Sequence, residues 1–258
     1  MSQAQLASLI FDQVATQGAT ADLIIDQKQS LSLKANQGSL EEHSVSSTQI
    51  FGLRVIKDGR VGTAYSEADD QASLQMMTEQ ALCNASFAKQ EEYETILDNN
   101  NTLKSDDKLL CPEDITNIDS KIETLLELEG ELLKRDKIKS VPYNGLSESF
   151  IERQVFSSAG LNASIRQKHA SLYAYALAED GEKNAMEGHG QLTRRPSELQ
   201  TPDIIDTVHR NCLNMLEGTS CSSGHYDVIF NPECQVQIFD VFTMSRSGKA
   251  AKDGLSPW

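Results

Sequence analysis

The sequence predicts an α+β fold, in which antiparallel sheets carry helices on one face. Alternating apolar and polar residues surround two Asp-Gly pairs, Asp58-Gly59 and Asp180-Gly181. Asp-Gly between two such runs is a strong β-hairpin signal, because the central residues of the tight turn adopt positive φ angles. Segments with apolar residues at helical spacing precede and follow these hairpins. The two halves share this order of elements, although we infer no sequence homology between them.

The first half begins with an amphipathic helix, in which Ser2 and Gln5 resemble a capping box and Gly18 supplies the stop. The patterns then predict, in order, helix 2–17, strands within 23–35, an antiparallel hairpin over 47–66 and helix 69–87. A polar, Asn/Asp-rich segment without periodicity follows, and we expect a mobile loop over 88–111.

The second half repeats this order. It is expected to contain a helix opened by Pro112 and running to Leu133, a β region over 140–195 with a turn at 157–160, a helix from Thr201 to Leu216, a strand over 226–230 and a helix over 233–246. Apolar residues from Ile115 to Leu133 form the stripe that indicates the first of these helices.

Composition excludes several functional classes. The net charge of −15 gives a surface that repels phosphate backbones, so direct nucleic-acid binding is not expected. The sequence contains neither a secretory signal nor an apolar run long enough to span a membrane. Five scattered cysteines fit a reducing compartment rather than a disulfide framework. We therefore expect a cytoplasmic protein without membrane contact.

Two groups of residues have the composition of zinc ligands. Cys212, Cys221, His225 and Cys234 lack the closely spaced ligand pair of structural zinc sites, and Cys212 falls on the apolar face of a helix. The segment Glu187-Gly188-His189-Gly190 contains a single histidine between glycines, which favours a strand end or a turn. Packing and turn roles are the preferred interpretation for both groups.

Common catalytic motifs are absent from the sequence. It contains no Gly-x-Ser-x-Gly elbow, no phosphate loop and no dinucleotide-binding glycine motif. A catalytic triad assembled from distant residues stays open, because spacing along the chain does not exclude it. The sequence thus shows no complete catalytic or metal-binding constellation.

Three stretches resemble the TldD/PmbA family, whose members are also called modulators of DNA gyrase. They run from Asp22 through the Asp58-Gly59 hairpin to Ser66, from Glu148 through the Ser157–Gly160 turn to Leu161, and from Tyr226 to Lys249. The resemblance implies the amino-terminal α+β domain of this family over 1–220. It also implies only the beginning of a β-rich carboxyl-terminal domain over 221–258, as in a chain that is part of a larger protein.

The resemblance also indicates the branch of the family. TldD-like members resemble zinc metallopeptidases with a helical His-Glu-x-x-x-His motif, whereas PmbA (TldE) members lack the motif and pair with TldD. At these positions the chain carries Asp240, Val241 and Ser245, and no histidine occurs in 226–258. Valine cannot act as a base and serine is a poor zinc ligand. No metal or cofactor is therefore expected in this chain, and zinc is expected only in a TldD-like partner.

Three functions follow as alternatives. The favoured hypothesis is a PmbA/TldE-like, non-catalytic partner subunit of a cytosolic TldD-type zinc metallopeptidase that acts on peptide substrates in proteolysis and peptide maturation. The second is a self-sufficient metallopeptidase that uses a further carboxyl-terminal domain. The third is a non-enzymatic, protein-binding modulator of DNA gyrase. A homodimer is compatible with all three.

Overall fold

The structure is a computed structural model that describes residues 2–96 and 105–257. The chain divides into two compact units, Met1–Gly218 and Thr219–Trp258. The first unit contains α1 Gln3–Thr16, β1 Thr20–Asn36, β2 Ser39–Lys57, β3 Arg60–Ser66, α2 Gln71–Phe87, α3 Asp107–Leu110, α4 Ile118–Leu133, β4 Ile138–Ser157, β5 Asn162–Asp180, β6 Lys183–Thr193, a 3-10 helix Pro196–Glu198 and α5 Thr201–Glu217. The second unit contains α6 Pro232–Val241, a 3-10 helix Met244–Arg246 and α7 Gly248–Lys252. Among the described residues, no helix combines the length and the apolar character that a membrane crossing requires.

The six strands form one antiparallel sheet in the order β3-β2-β1-β4-β5-β6. Strand β1 lies near its centre. Leu23 of β1 is opposite Leu53 of β2 and Phe156 of β4, and Leu33 is opposite Leu146 of β4. The two β regions predicted from the sequence therefore join into a single sheet through the pairing of β1 with β4.

The helix pairs α1–α2 and α4–α5 pack on the same face of the sheet. In β1, the buried residues Ala21, Leu23 and Ile25 belong to the core formed with α1 and α2, whereas Leu33 and Ala35 belong to the core formed with α4 and α5. Strand residues two positions apart point to the same side of a sheet. These odd-numbered positions therefore bring both helix pairs onto one face, which confirms the predicted α+β class.

Helices α1 and α2 cover the β1–β2–β3 end of the sheet. Ser2 and Gln5 form the predicted capping box, in which the Ser2 N–H donates to Gln5 Oε1 at 2.8 Å. Helix α2 lies so close to β3 that a Cβ added to Gly62 would be 2.0 Å from the carbonyl oxygen of Ala81. Gly62 is therefore the residue that permits this close approach. The buried side chains of this layer include Leu6, Ile10, Val14, Phe51, Leu53, Leu74 and Met77.

Helices α4 and α5 cover the other end of the sheet. Their buried side chains include Leu125, Leu128, Leu132, Ile204, Val208 and Cys212, which pack on the small residues Ala174, Ala176 and Ala178 of β5. Glu129 of α4 is only 2% exposed. Its carboxylate accepts hydrogen bonds from the backbone N–H groups of Gln37 at 3.0 Å and Gly38 at 2.8 Å. These bonds attach α4 to the β1–β2 turn and satisfy the buried charge.

A buried side chain extends the pairing of β1 with β4. The ladder between these strands ends at the pair Leu33–Leu146, and the next positions on the same face are Ala35 and Asn144. There the Asn144 side chain accepts from the Ala35 N–H and donates to the Ala35 carbonyl oxygen, both at 2.9 Å. The side-chain amide of Asn144 thus makes the two hydrogen bonds that a backbone partner would make in the ladder. It thereby satisfies the buried N–H and C=O of Ala35.

The hairpin turns follow the residue chemistry. Asp58-Gly59 has φ angles of 51° and 68°, as predicted, and Gln37-Gly38 forms a similar turn between β1 and β2 with φ of 53° and 74°. At the third hairpin, Asp180 is the last strand residue and pairs with Lys183. Gly181, with φ 63°, is therefore the first residue of the two-residue loop, where a positive φ favours glycine.

One predicted helix start is wrong. The sequence indicated that Pro112 opens a helix, but α4 begins at Ile118, and Ile115 is fully exposed (100%). The reason is the N-cap at Asn117, whose side chain accepts from the Ser120 N–H at 2.8 Å while its own backbone is extended. A cap residue with an extended backbone cannot belong to the helix, so α4 starts directly after Asn117.

Predictions for the last part of the chain also need correction. Residues 226–230 do not form the predicted strand: they pair with no strand among the described residues, and Ile229 is 97% exposed. A strand requires hydrogen-bonding partners, whatever its apolar content. Helix α6 is shorter than the predicted helix over 233–246, because Phe242 caps it and a separate 3-10 turn follows. In the segment 88–111, α3 forms one helical turn, and residues 97–104 lie outside the described residues.

Candidate functional site

The three residues expected at the positions of the zinc motif, Asp240, Val241 and Ser245, lie at and beyond the end of α6. Asp240 and Val241 are the last two residues of the helix, and the side chain of Val241 is 77% exposed. Ser245 lies in the following 3-10 turn, where its hydroxyl donates to the Phe242 carbonyl oxygen at 2.8 Å. A carboxylate, a valine and a hydroxyl do not make the donor set of a zinc hydrolase, which combines imidazole ligands with a carboxylate base. These residues therefore do not fit the metal.

The cysteine and histidine group is divided between the two compact units. Cys212 is buried in α5 and its thiol lies 3.3 Å from the Ala176 carbonyl oxygen, and burial raises the pKa of this thiol. Cys221 and Cys234 are exposed and belong to the second unit. Within residues 2–96 and 105–257, no three His, Cys, Asp or Glu side chains are grouped so that they could hold a metal ion.

The glycines around His189 have a packing role. Tyr173 and Tyr175 of β5 lie across Gly190 and Gly188 of β6, and their rings meet edge to face with centroids 6.4 Å apart. A Cβ would come within 2.8 Å of Tyr173 at position 190 and within 2.4 Å of Tyr175 at position 188. Glycine on β6 therefore leaves room for the tyrosine rings on the sheet face that the helices do not cover.

A cavity lies on the helix-bearing face of the sheet, beside α4. We call it the central groove. Its floor and walls consist of Gln29, Ser30, Leu31, Val45, Asp114, Lys121, Glu148, Ser149, Phe150, Lys168, His169, Arg194 and Pro196, and its volume is about 260 Å³. Leu31 is opposite both Val45 and Glu148 in the ladder, and Phe150 is opposite Lys168. Strand pairing thus brings residues far apart in the sequence into one groove.

Cationic side chains occupy the walls of the central groove. Lys121 and Glu148 form a largely buried ion pair, with side chains 14% and 26% exposed. Lys168 Nζ donates to the Pro112 carbonyl oxygen at 3.2 Å, and Arg194 Nη1 donates to the Lys168 carbonyl oxygen at 2.9 Å. Neither Lys168 nor Arg194 forms an ion pair with a carboxylate in the part of the chain that the structure describes. Counting Lys121, Lys168 and Arg194 against Glu148 and Asp114, the groove carries one net positive charge.

The charge of Arg194 also acts on the adjacent imidazole. Arg194 Nη1 lies 3.2 Å from Nε2 of His169. Partial burial lowers the pKa of His169, and the nearby guanidinium lowers it further. Both effects disfavour a second positive charge, so His169 is neutral at pH 7 and adds no net charge to the groove.

Asp114 fixes one wall of the groove. Its carboxylate accepts from Ser197 Oγ at 2.6 Å, from the Ser197 N–H at 3.3 Å and from the Thr116 N–H at 2.7 Å. Partial burial raises the pKa of Asp114, but these hydrogen bonds outweigh burial and hold the pKa well below its usual range. The carboxylate is thus ionised and bound to the segment after β6, rather than directed at Lys168 or Arg194.

Comparison with known proteins identifies the family. A model described as PmbA/TldA metallopeptidase domain 1 matches residues 21–85, and a model described as the PmbA/TldA metallopeptidase central domain matches residues 111–215. The two matches together cover more than half of the chain. No curated protein sequence matches.

Several solved structures share the fold. A candidate modulator of DNA gyrase from Thermotoga maritima is 17% identical with a TM-score of 0.85, over 99% of this chain and 58% of that protein. TldE from Thermococcus kodakarensis is 17% identical with a TM-score of 0.67, over 81% and 47%. A candidate modulator of DNA gyrase from Bacteroides thetaiotaomicron is 18% identical with a TM-score of 0.80, over 96% and 57%. The chain thus spans about half the length of these proteins. On the family matches and the shared fold, the chain belongs to the PmbA/TldD family of metallopeptidase-related proteins.

Proposed function

We propose that this chain is a PmbA/TldE-like, non-catalytic subunit that pairs with a TldD-like zinc metallopeptidase chain in the cytosol and takes part in proteolysis and peptide maturation. The observation that carries the proposal is that residues 226–258 contain no histidine, and that Asp240, Val241 and Ser245 stand where the family resemblance would place the zinc motif. The likeness to a structure named TldE supports the same branch of the family.

The chemistry of peptide hydrolysis explains why a partner is needed. A zinc peptidase requires ligands that leave one coordination position open for water, and a base that removes a proton from this water. The segment around α6 supplies neither an imidazole nor a base at position 241, where the side chain is valine. We therefore assign the hydrolytic centre to the partner chain, and peptide binding and assembly to this chain.

A co-purification experiment tests this proposal. A tagged form of the chain is co-expressed with the TldD-like protein from the same genome, and the eluate is examined by light scattering and by metal analysis. We expect a stable hetero-complex in which zinc is present only when the partner is present. An isolated tagged chain that contains stoichiometric zinc would overturn the proposal.

A peptidase assay separates the proposed subunit from a self-sufficient enzyme. Unfolded casein or a flexible peptide is incubated with each chain alone and with the two together. We expect cleavage only by the mixture and loss of cleavage with a chelator. Asp240→Ala is a useful probe, because a residue without a catalytic role should leave the activity of the mixture unchanged. Chelator-sensitive cleavage by the lone chain would contradict the assignment.

A further inference from the structure

Two partly buried cations in the central groove form no ion pair with the described residues. Lys168 and Arg194 are both half-buried, and their hydrogen bonds reach backbone carbonyl oxygens rather than carboxylates of the described residues. Lys121 is paired with Glu148, and Asp114 is held by hydrogen bonds from Ser197 and Thr116. The Asp114 charge offsets one of the two cations, so the groove keeps one net positive charge. A charge removed from water without a partner is unfavourable, so an anion in the groove would gain charge-assisted hydrogen bonds.

An apolar surface lies directly beside these cations. Val45 is 73% exposed although it lies within a long paired strand on the helix-bearing face, and Leu31 is opposite it in β1. Phe150 is diagonal to Leu31 on the same face, since it is opposite Gln29 of β1, and it is opposite Lys168 of β5. An occupant of the groove therefore meets a positive wall and an apolar floor within one small volume.

We propose that the central groove binds the carboxyl terminus of a peptide whose last side chain is apolar. The terminal carboxylate accepts hydrogen bonds from Lys168 and Arg194, and the last side chain packs on Leu31, Val45 and Phe150. A carboxyl-terminal residue carries both groups on a single Cα, which matches their proximity in the groove. The volume of about 260 Å³ lies just below the range of about 300–1,000 Å³ for drug-sized ligands, and so suits a terminal residue.

The inference goes beyond the proposed partnership, because it needs only the groove of this chain. It can be tested on the isolated protein by methyl NMR with acetyl-Gly-Gly-Phe as the free acid and as the amide. We expect the free acid to shift the methyl resonances of Leu31 and Val45 and to bind at least about tenfold more tightly than the amide, since two charge-assisted hydrogen bonds are lost in the amide.

Three variants assign the binding to the proposed cations. Lys168→Gln and Arg194→Gln should each weaken binding of the free acid about tenfold. Lys28→Gln is the matched control, because it removes the same charge from a position on the opposite face of the sheet, two residues away from Ser30 along β1. It should leave the affinity unchanged. Thermal melts verify that each variant is folded, and if Arg194→Gln fails to fold, Lys168→Gln decides.

Several results would overturn the inference. If the acid and the amide bind with equal affinity, the carboxylate is not recognised. If Lys168→Gln binds the free acid as tightly as the parent protein does, Lys168 does not contact the carboxylate. Shifts confined to methyl groups outside the groove would place the site elsewhere. Octanoate that binds as tightly as the peptide acid would show a general site for amphipathic anions, which contradicts a peptide-specific role. None of these results affects the test of the partner subunit.

Discussion

Asn144→Ala should strongly destabilise the fold. The side chain of Asn144 hydrogen-bonds the backbone of Ala35 just beyond the last pair of the β1–β4 ladder. The substitution removes two hydrogen bonds of 2.9 Å to Ala35, which is itself only 5% exposed. Each buried peptide group left without a partner costs about 1–3 kcal/mol. We therefore expect a loss of about 3 kcal/mol. At about 2–4 °C per kcal/mol for a domain of this size, the midpoint of thermal unfolding should fall by about 6–12 °C.

The measurement is urea and thermal unfolding followed by far-UV circular dichroism. Asn84→Ala is the matched control, since this exposed asparagine on α2 donates one hydrogen bond to the Thr63 carbonyl oxygen at 2.8 Å. We expect the control to change stability by about 0.5 kcal/mol or less. If Asn144→Ala changes the free energy of unfolding as little as the control does, the Asn144 hydrogen bonds do not stabilise the pairing of β1 with β4 and the reasoning fails.

Three further substitutions test other parts of the structure. Gly62→Ala should cost about 3 kcal/mol in urea unfolding, because the new Cβ would lie 2.0 Å from the Ala81 carbonyl oxygen and the helix must move. Glu129→Ala should cost about 2 kcal/mol, since the β1–β2 turn loses two hydrogen bonds to a buried carboxylate. Asp114→Asn should cost about 1 kcal/mol near pH 7. Because hydrogen bonds from Ser197 hold the folded pKa of Asp114 below its unfolded value, this cost should be full above about pH 4 and should disappear as the pH falls through the lower, folded pKa.

Each of these predictions has a matched control variant. Gly52→Ala adds a Cβ where no atom lies within 4 Å, so it should be nearly neutral if the Gly62 effect is steric. Glu127→Ala changes an exposed carboxylate on α4, and Glu113→Gln changes an exposed carboxylate next to Asp114. Stability losses in these controls that match the test variants would refute the local explanations.

The sequence was most informative where local chemistry decides the structure. The Asp58-Gly59 turn, the capping box of α1 and the apolar faces of α1, α2 and α5 all follow from short-range patterns that the fold preserves. The predicted family is confirmed by the matches to both domain models. These features depend on turn geometry, helix capping and periodic burial, which act within a few residues of one another.

The long strand β2 shows where pattern reading was insufficient. Residues 39–50 contain mainly polar side chains, and most of 41–50 are exposed, so the alternation that indicates a half-buried strand is absent. They are nevertheless paired with β1 at every position except Glu41, where the register shifts. Neither helix pair covers residues 41–50. Backbone hydrogen bonds to β1 hold this part of β2 in place, although neither face of it is buried. The Asn144 contact was also beyond pattern reading, since it joins two residues that are 109 positions apart in the sequence.

The central groove could not be derived from the sequence for a related reason. Lys168 and Arg194 are 26 residues apart and meet only because β5 and β6 form a hairpin, while Leu31 and Val45 come from the first half of the chain. The available signal was a pair of cations in a strongly acidic chain, which by itself indicates no site.

The proposed partnership is tested most directly by reconstitution of peptidase activity from purified chains. This chain and its TldD-like counterpart are prepared separately, and cleavage of a flexible peptide is measured for each chain and for the equimolar mixture with zinc. The account predicts no cleavage by this chain alone, a hetero-complex in the mixture, and cleavage that a chelator abolishes. Chelator-sensitive cleavage by this chain alone, or failure of the two chains to associate, would contradict it.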